Sequence, residues 1–434
     1  MPSASAPPPR LIRGVSRLQL VGLSINDVVG SGVYLLPAAA AALLGPSSVV
    51  AVVLAGLAVG LLVLCFAEAA NYFDAPGGAY LYTREAFGPF VGFEVGWMTW
   101  LARIASVASL SNGLALATAF LWPAAATGWP RALLITGTLA VLTWINVLGV
   151  REGARTAVTL VVLKMLPLVF FVLAGLWAVE WTRVTAFETP RPGVLGEAAL
   201  LLLFAYAGFE NTPAAAGEYK NPQRDVPFAM LAMIVTVTSV YTAVQAVALG
   251  TLPGLAESRS PLAEAAGQFA GGWAAFLLTL GAIVSIVGNV SNTTLMGPRY
   301  LFALARDGFG PSVLGRVHPI YRTPANAIVT QTAAALVLAL SGSFVQLAML
   351  SIVARLTTYI GTAAAVPVLR RRFAGQRAAV RLPGGSSVPV AALLVSLAFL
   401  ASATWQNLLA GLVALTAGGM IYHLRRPARS DTPE

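Results

Sequence analysis

Apolar blocks long enough to cross a bilayer follow one another from residue 18 to residue 424, separated by short polar, basic or Gly/Pro-containing segments. At about 1.5 Å per residue, a helix of roughly twenty residues spans a hydrocarbon core. The blocks divide into about twelve helical spans, near 18–44, 47–71, 89–121, 131–149, 156–180, 195–217, 227–250, 270–297, 324–341, 345–369, 387–404 and 407–424. The expected fold class is an all-α polytopic membrane protein. Between the second and third spans, Pro and paired Gly in Asp74-Ala75-Pro76-Gly77-Gly78-Ala79-Tyr80 predict a turn on the inner side.

Two spans carry faults. In the first, Gly30-Ser31-Gly32 interrupts the apolar run about 18 Å past Leu18, close to mid-membrane. Freed backbone there must face protein or a wet cavity. A half-helix restarting near Val33 would aim bare N–H groups and a partial positive charge at such a cavity, which suits a carboxylate. The alternative is a Gly-x-Gly packing surface for a neighbouring helix. In the sixth span, Gly208 and Pro213 bracket Glu210, Asn211 and Thr212. The two faulted spans lie five helices apart and start on opposite sides. That arrangement predicts two five-helix repeats of inverted orientation, 18–180 and 195–372, with a site at the midplane. Residues 386–424 form two further helices outside the repeat.

Composition narrows the chemistry. The chain is 57% hydrophobic and 10% charged, and it has one cysteine (Cys65) and two histidines (His318, His423) in polar flanks. These exclude an internal disulfide and leave no basis for a haem, a metal site or another cofactor. A membrane-embedded enzyme would need a nucleophile–base pair or metal ligands in a span, and a sensor would need a soluble output domain; neither is evident, and no catalytic residue is assigned. The net charge of +10 could suggest nucleic acid, but its distribution argues against that partner. With the N-terminus inside, only Arg131, Arg183, Arg191 and Arg259 of the 27 basic residues fall on outer loops, and Arg103, Lys164 and Arg355 lie within spans. The others are on the inner side, including the Arg370–Arg381 cluster. The positive-inside rule then places both termini in the cytoplasm of a cytoplasmic (inner) membrane protein. Residues 1–17 read as a disordered tail without a cleaved signal, and 425–434 as a second tail.

Several motifs together resemble one family. Gly30-Ser31-Gly32-Val33-Tyr34-Leu35-Leu36-Pro37, Pro76–Tyr80 with Phe87-Gly88-Pro89, and Phe204–Glu210 followed by Glu218–Pro227 are similar to the amino acid–polyamine–organocation (APC) permeases. So are Arg299-Tyr300-Leu301 with Ala305–Gly308, and His318-Pro319 with Arg322-Thr323-Pro324. The similarity runs from residue 18 to about 372 and includes the arginine/agmatine antiporter and proton-coupled branches. It implies the LeuT-type fold, two inverted five-helix repeats plus two peripheral helices, and secondary transport of amino acids or amines.

Site residues follow from dipole direction and from the resemblance. A substrate carboxylate is expected on the N–H groups of Ser31, Gly32 and Val33, next to Gly30. An ammonium is expected on carbonyls of Val28, Phe204 and Ala207, next to Gly208. A side chain at Gly32 would obstruct that approach. Phe204 stands where related transporters place an aromatic lid, or is ordinary core. Lys164 matches the fifth-helix lysine that, in some proton-coupled permeases, occupies the sodium position of sodium-coupled relatives; it is a proton carrier, a tether to carbonyls, or both. Asp27 and Glu210 either carry a proton or serve as acceptors for freed N–H groups, the latter preferred. Partners for Arg103 and Arg355 are not assignable from sequence. The expectation is sodium-independent transport of a neutral amino acid, by proton coupling or exchange, with a cationic amino acid or polyamine as the rival substrate. The expected partners are an amino acid or amine, protons and the lipid bilayer; a homodimer is left open.

Overall fold

A computed structural model describes residues 15–73, 77–149, 154–187, 189–190, 192–375, 382 and 384–425. Both expected tails fall largely outside this set, as do Asp74–Pro76 of the expected turn and Arg377 and Arg381 of the basic cluster. The described residues are helical almost throughout, and their only β feature is an isolated bridge between Val15 and Tyr219.

Among the described residues, sixteen α-helices follow in order. The first half contains α1 (Arg17–Val28), α2 (Ser31–Leu44), α3 (Ser48–Ala70), α4 (Gly78–Phe87), α5 (Pro89–Thr118), α6 (Gly128–Leu148) and α7 (Ala154–Gly175). A short α8 (Trp181–Thr185) leads to the second half: α9 (Pro192–Tyr206), α10 (Pro222–Thr251), α11 (Pro261–Ala270), α12 (Gly272–Arg306), α13 (Ala325–Ser341) and α14 (Phe344–Arg372). α15 (Ser387–Ala401) and α16 (Trp405–Leu424) close the chain. Among the described residues, eight helical stretches are long and apolar enough to cross a membrane; one of them, Ser31–Ala70, joins α2 and α3 through a 3-10 turn. α13 and α15 are shorter apolar helices.

Local chemistry explains the boundaries. Ser16 and Gln19 form a reciprocal capping box that starts α1. Pro89, Pro222 and Pro261 open α5, α10 and α11, where the missing N–H is no loss. α6 stops at Gly149 in the left-handed region, φ 73°. Besides the five-residue α8, two helices were not expected from the pattern. α4 occupies part of the segment read as a turn; only its entry is a turn, with Gly77 at φ 143° and Gly78 at φ 53°. α11 lies in what read as an outer loop, yet it buries Leu262, Ala265 and Ala266. Each has ten residues, too few to register as a span.

α5 is the central post. It packs against α12, α13 and α14, and it is buried along most of its length despite carrying Glu94 and Arg103. The first-half elements α2, α3, α5 and α6 pack against α9, α10, α12 and α13 respectively. α15 and α16 lie at the rim, against α14 with α3 and α5 respectively. Large apolar side chains such as Leu57, Trp144, Val235 and Leu412 are exposed on the outside of the bundle, where a bilayer would cover them.

Candidate substrate site between two broken helices

The first fault is narrower than its sequence suggested. α1 ends at Val28, only Val29 and Gly30 leave helical geometry, and α2 restarts at Ser31 rather than near Val33. Ser31, Gly32 and Val33 therefore open a helix, the positions whose N–H groups lack intrahelical acceptors. In the second fault α9 stops at Tyr206, and after Ala207 and Gly208 the chain continues as a 3-10 helix, Phe209–Glu218.

Glycine lets the two faults touch. A Cβ on Gly208, at φ 129°, would sit 2.4 Å from the Asp27 carbonyl oxygen. A Cβ on Gly32 would lie 2.7 Å from Ala205 Cα, so a side chain there would displace α9 as well as obstruct a ligand. The Tyr241 hydroxyl of α10 lies 3.2 Å from Val28 O and 3.1 Å from Ala205 O, bridging the ends of both broken helices.

Between them lies a cavity of about 430 Å³, counting space open to solvent. Its walls include Asp27, Val28, Gly30, Ser31 and Gly32 from the first fault, and Phe204, Ala207 and Gly208 from the second. Val33 is buried and faces a separate crevice beside α10. The Ser31 hydroxyl is buried with no hydrogen-bond partner among the described residues. Phe204 is buried and meets Phe344 edge-on at 5.9 Å. The nominated carbonyls are partly engaged: Val28 O by Tyr241, and Phe204 O by the Ala207 N–H at 3.1 Å.

Lys164 and Glu210 stand behind the cavity. The Lys164 ammonium is fully buried and donates to Asn26 O and Val29 O, each at 3.5 Å, at the first fault. The Ser285 hydroxyl also donates to Val29 O, at 3.3 Å. Asp27 accepts from Asn292 Nδ2 at 2.5 Å. Glu210 Oε2 accepts from the Gly208 N–H at 3.0 Å and lies 3.3 Å from the Tyr359 hydroxyl, while Oε1 pairs with Arg355 Nη1 and lies 3.6 Å from Arg103 Nη2. Both arginines that sequence left unassigned thus converge on one carboxylate. Arg355 also donates to Ser106 Oγ (2.6 Å) and Ser351 Oγ (3.3 Å).

A profile of the amino acid permease family matches residues 15–422. The chain belongs to this family. This permease is 29% identical to the branched-chain amino acid permease of Bacillus subtilis, over 95% of its own length and 93% of the relative's. It is 31% identical to the serine/threonine exchanger of the same organism, over 90% and 91% of the two chains. A methylthioribose transporter, also of Bacillus subtilis, is 28% identical over 97% and 95%. The permease is accordingly a multi-pass membrane transport protein and not an enzyme. Among the described residues no group of His, Cys, Asp and Glu could hold a metal ion.

Asn289, Asn292 and Thr293 of α12, and Ser106 of α5, also line the cavity, with Arg103 and Arg355, and were not singled out by sequence as site residues. Their signal was present: three polar residues at helical spacing within the apolar span 270–297 mark one face of a helix.

Proposed function

We propose that this permease is a secondary active transporter of amino acids in the cytoplasmic membrane, working by alternating access about the cavity between α1/α2 and α9. The carrying observation is that cavity: a helix N-terminus with an unpartnered buried serine hydroxyl at one wall, and a carboxylate, Asp27, beside it. These suit the α-carboxylate and α-ammonium of an amino acid. Two inverted five-helix units, 18–180 and 195–372, with a peripheral pair at 386–424, account for the pairing of α2, α3, α5 and α6 with elements of the second half. The basic inner loops put both termini in the cytoplasm.

Transport is sodium-independent in this reading. Lys164 supplies a covalently attached cation at Asn26 O and Val29 O, the carbonyls a bound sodium ion would otherwise satisfy. The amine is also the group best placed to load and release a proton as the first fault opens and closes, which favours proton coupling over exchange with a fixed cation. A neutral side chain, the sequence expectation, would meet Asn289, Asn292 and Thr293 and leave Arg103 without a partner.

The test is uptake of labelled amino acids into proteoliposomes, in sodium and in choline buffers across a pH series, for wild type and Lys164→Ala. Equal uptake in both buffers is expected, with the pH response reduced or flux lost in the variant. An absolute sodium requirement in the wild type would refute the assignment of Lys164.

A further inference from the structure

Among the described residues, the second arginine of the Glu210 cluster has no hydrogen-bond partner for its Nε and Nη2 donors. Arg355 is committed: it pairs with Glu210 and donates to Ser106 and Ser351. Arg103 is as deeply buried, at 2% exposure, but its one polar contact among the described residues is the 3.6 Å approach of Nη2 to Glu210. Its Nε and Nη2 make no hydrogen bond among the described residues. Buried guanidinium donors left unmatched are unfavourable enough to require an explanation.

Position supplies one. Arg103, Ser106 and Leu110 recur at helical spacing on a single face of α5, and all three line the cavity that Ser31 and Gly32 face from α2. The charge balance points the same way. In their ordinary ionisation states, Arg103, Arg355 and Lys164 outnumber Asp27 and Glu210, so the site carries one excess positive charge. A zwitterionic substrate leaves that excess in place. A cationic side chain would raise it, among side chains that are themselves buried, where like charges are poorly screened. A side chain bearing one negative charge would cancel it and give the idle guanidinium donors a two-oxygen acceptor.

We propose that Arg103 is a specificity-determining residue that binds a second carboxylate on the substrate, so that the permease selects acidic amino acids over neutral and cationic ones. The assignment rests on the cavity being the substrate site of an amino acid transporter. Arg355 acts as a positioning residue: it neutralises Glu210 and frees Arg103 for the ligand.

The experiment compares uptake of labelled glutamate, glutamine and lysine by the full-length protein in proteoliposomes, in chloride and in gluconate buffers. Glutamate and glutamine differ almost only in the charge at issue. Wild type should take up glutamate at least about tenfold faster than glutamine at equal sub-saturating concentration, as loss of a charge-assisted hydrogen bond predicts. Glutamate, and not glutamine, should raise the melting temperature of the purified wild type, a readout that needs no variant. Arg103→Gln should bring the uptake ratio to about one or below by raising KM for glutamate. Uptake of glutamine or lysine in preference to glutamate by the wild type overturns the assignment while leaving amino acid transport intact. A preference that Arg103→Gln leaves unchanged also overturns it. Chloride-stimulated glutamine uptake without glutamate preference would give Arg103 to an inorganic anion and overturn it too. Absence of uptake of every amino acid would overturn both this assignment and the transport reading beneath it.

Discussion

Replacing Glu210 by Gln tests the buried cluster most directly. The amide keeps nearly the same shape and an oxygen that can still accept from the Gly208 N–H and the Tyr359 hydroxyl. What it removes is the negative charge between Arg355 and Arg103, whose side chains are 7% and 2% exposed around a carboxylate that is itself 3% exposed. The variant therefore holds two buried guanidinium groups with no opposing charge between them. Leaving a buried charge uncompensated costs about 3–5 kcal/mol. That figure is the cost of breaking the cluster and says nothing about whether an apolar trio would be less stable. Denaturant unfolding of the purified protein in detergent would measure it, with Arg355→Gln and the double variant closing the cycle. The two single losses should together exceed the measured loss of the double variant by about 1–3 kcal/mol, because the double removes both members of the closest ion pair and leaves neither charge facing the gap of the other. A Glu210→Gln loss below about 1 kcal/mol with additive behaviour would refute the idea that the carboxylate is what makes this arginine pair tolerable.

Three further outcomes are expected. Gly208→Ala should destabilise the fold by at least about 1–3 kcal/mol, since a side chain at φ 129° would meet the Asp27 carbonyl oxygen at 2.4 Å; a wild-type melting temperature and monodisperse elution would contradict this. Tyr80, on the non-spanning helix α4, donates to Asp307 Oδ2 at 2.7 Å, and burial, followed by that hydrogen bond, pushes its hydroxyl from 10.0 up to about 12. A raised folded value means that its contribution is complete below pH 10.0 and is lost as pH rises toward about 12. The alkaline fall in stability over that window should be smaller in Tyr80→Phe, and an unchanged profile would argue against the contact. Finally, Arg371→Cys in a Cys65→Ala background should react with a membrane-impermeant thiol reagent only after the cells are opened, because the proposed topology puts the basic segment that holds Arg371 on the inner side; labelling in intact cells would invert the topology.

Sequence alone determined what depends on local composition and on the thickness of a bilayer. Each spanning element shows as a run of apolar residues because every backbone group in lipid must be satisfied within its own helix. The faults at Gly30–Gly32 and at Gly208 were visible for the same reason: glycine and proline weaken the ladder where they stand. Helices α4 and α11 escaped because ten residues carry too little apolar signal to be separated from a loop.

Only the tertiary structure decided which polar groups meet. Arg355 and Glu210 are 145 residues apart, and Lys164 and Asn26 are 138 apart. Nothing in the neighbourhood of either arginine names its partner, since an ion pair depends on how helices from the two halves cross. The same holds for Gly32 and Gly208, whose small size could be noticed in sequence but whose neighbours, Ala205 and the Asp27 carbonyl, could not. Local periodicity records which residues must leave water; which buried charges face one another, and which guanidinium keeps unmatched donors at the cavity, is settled only when the two halves pack.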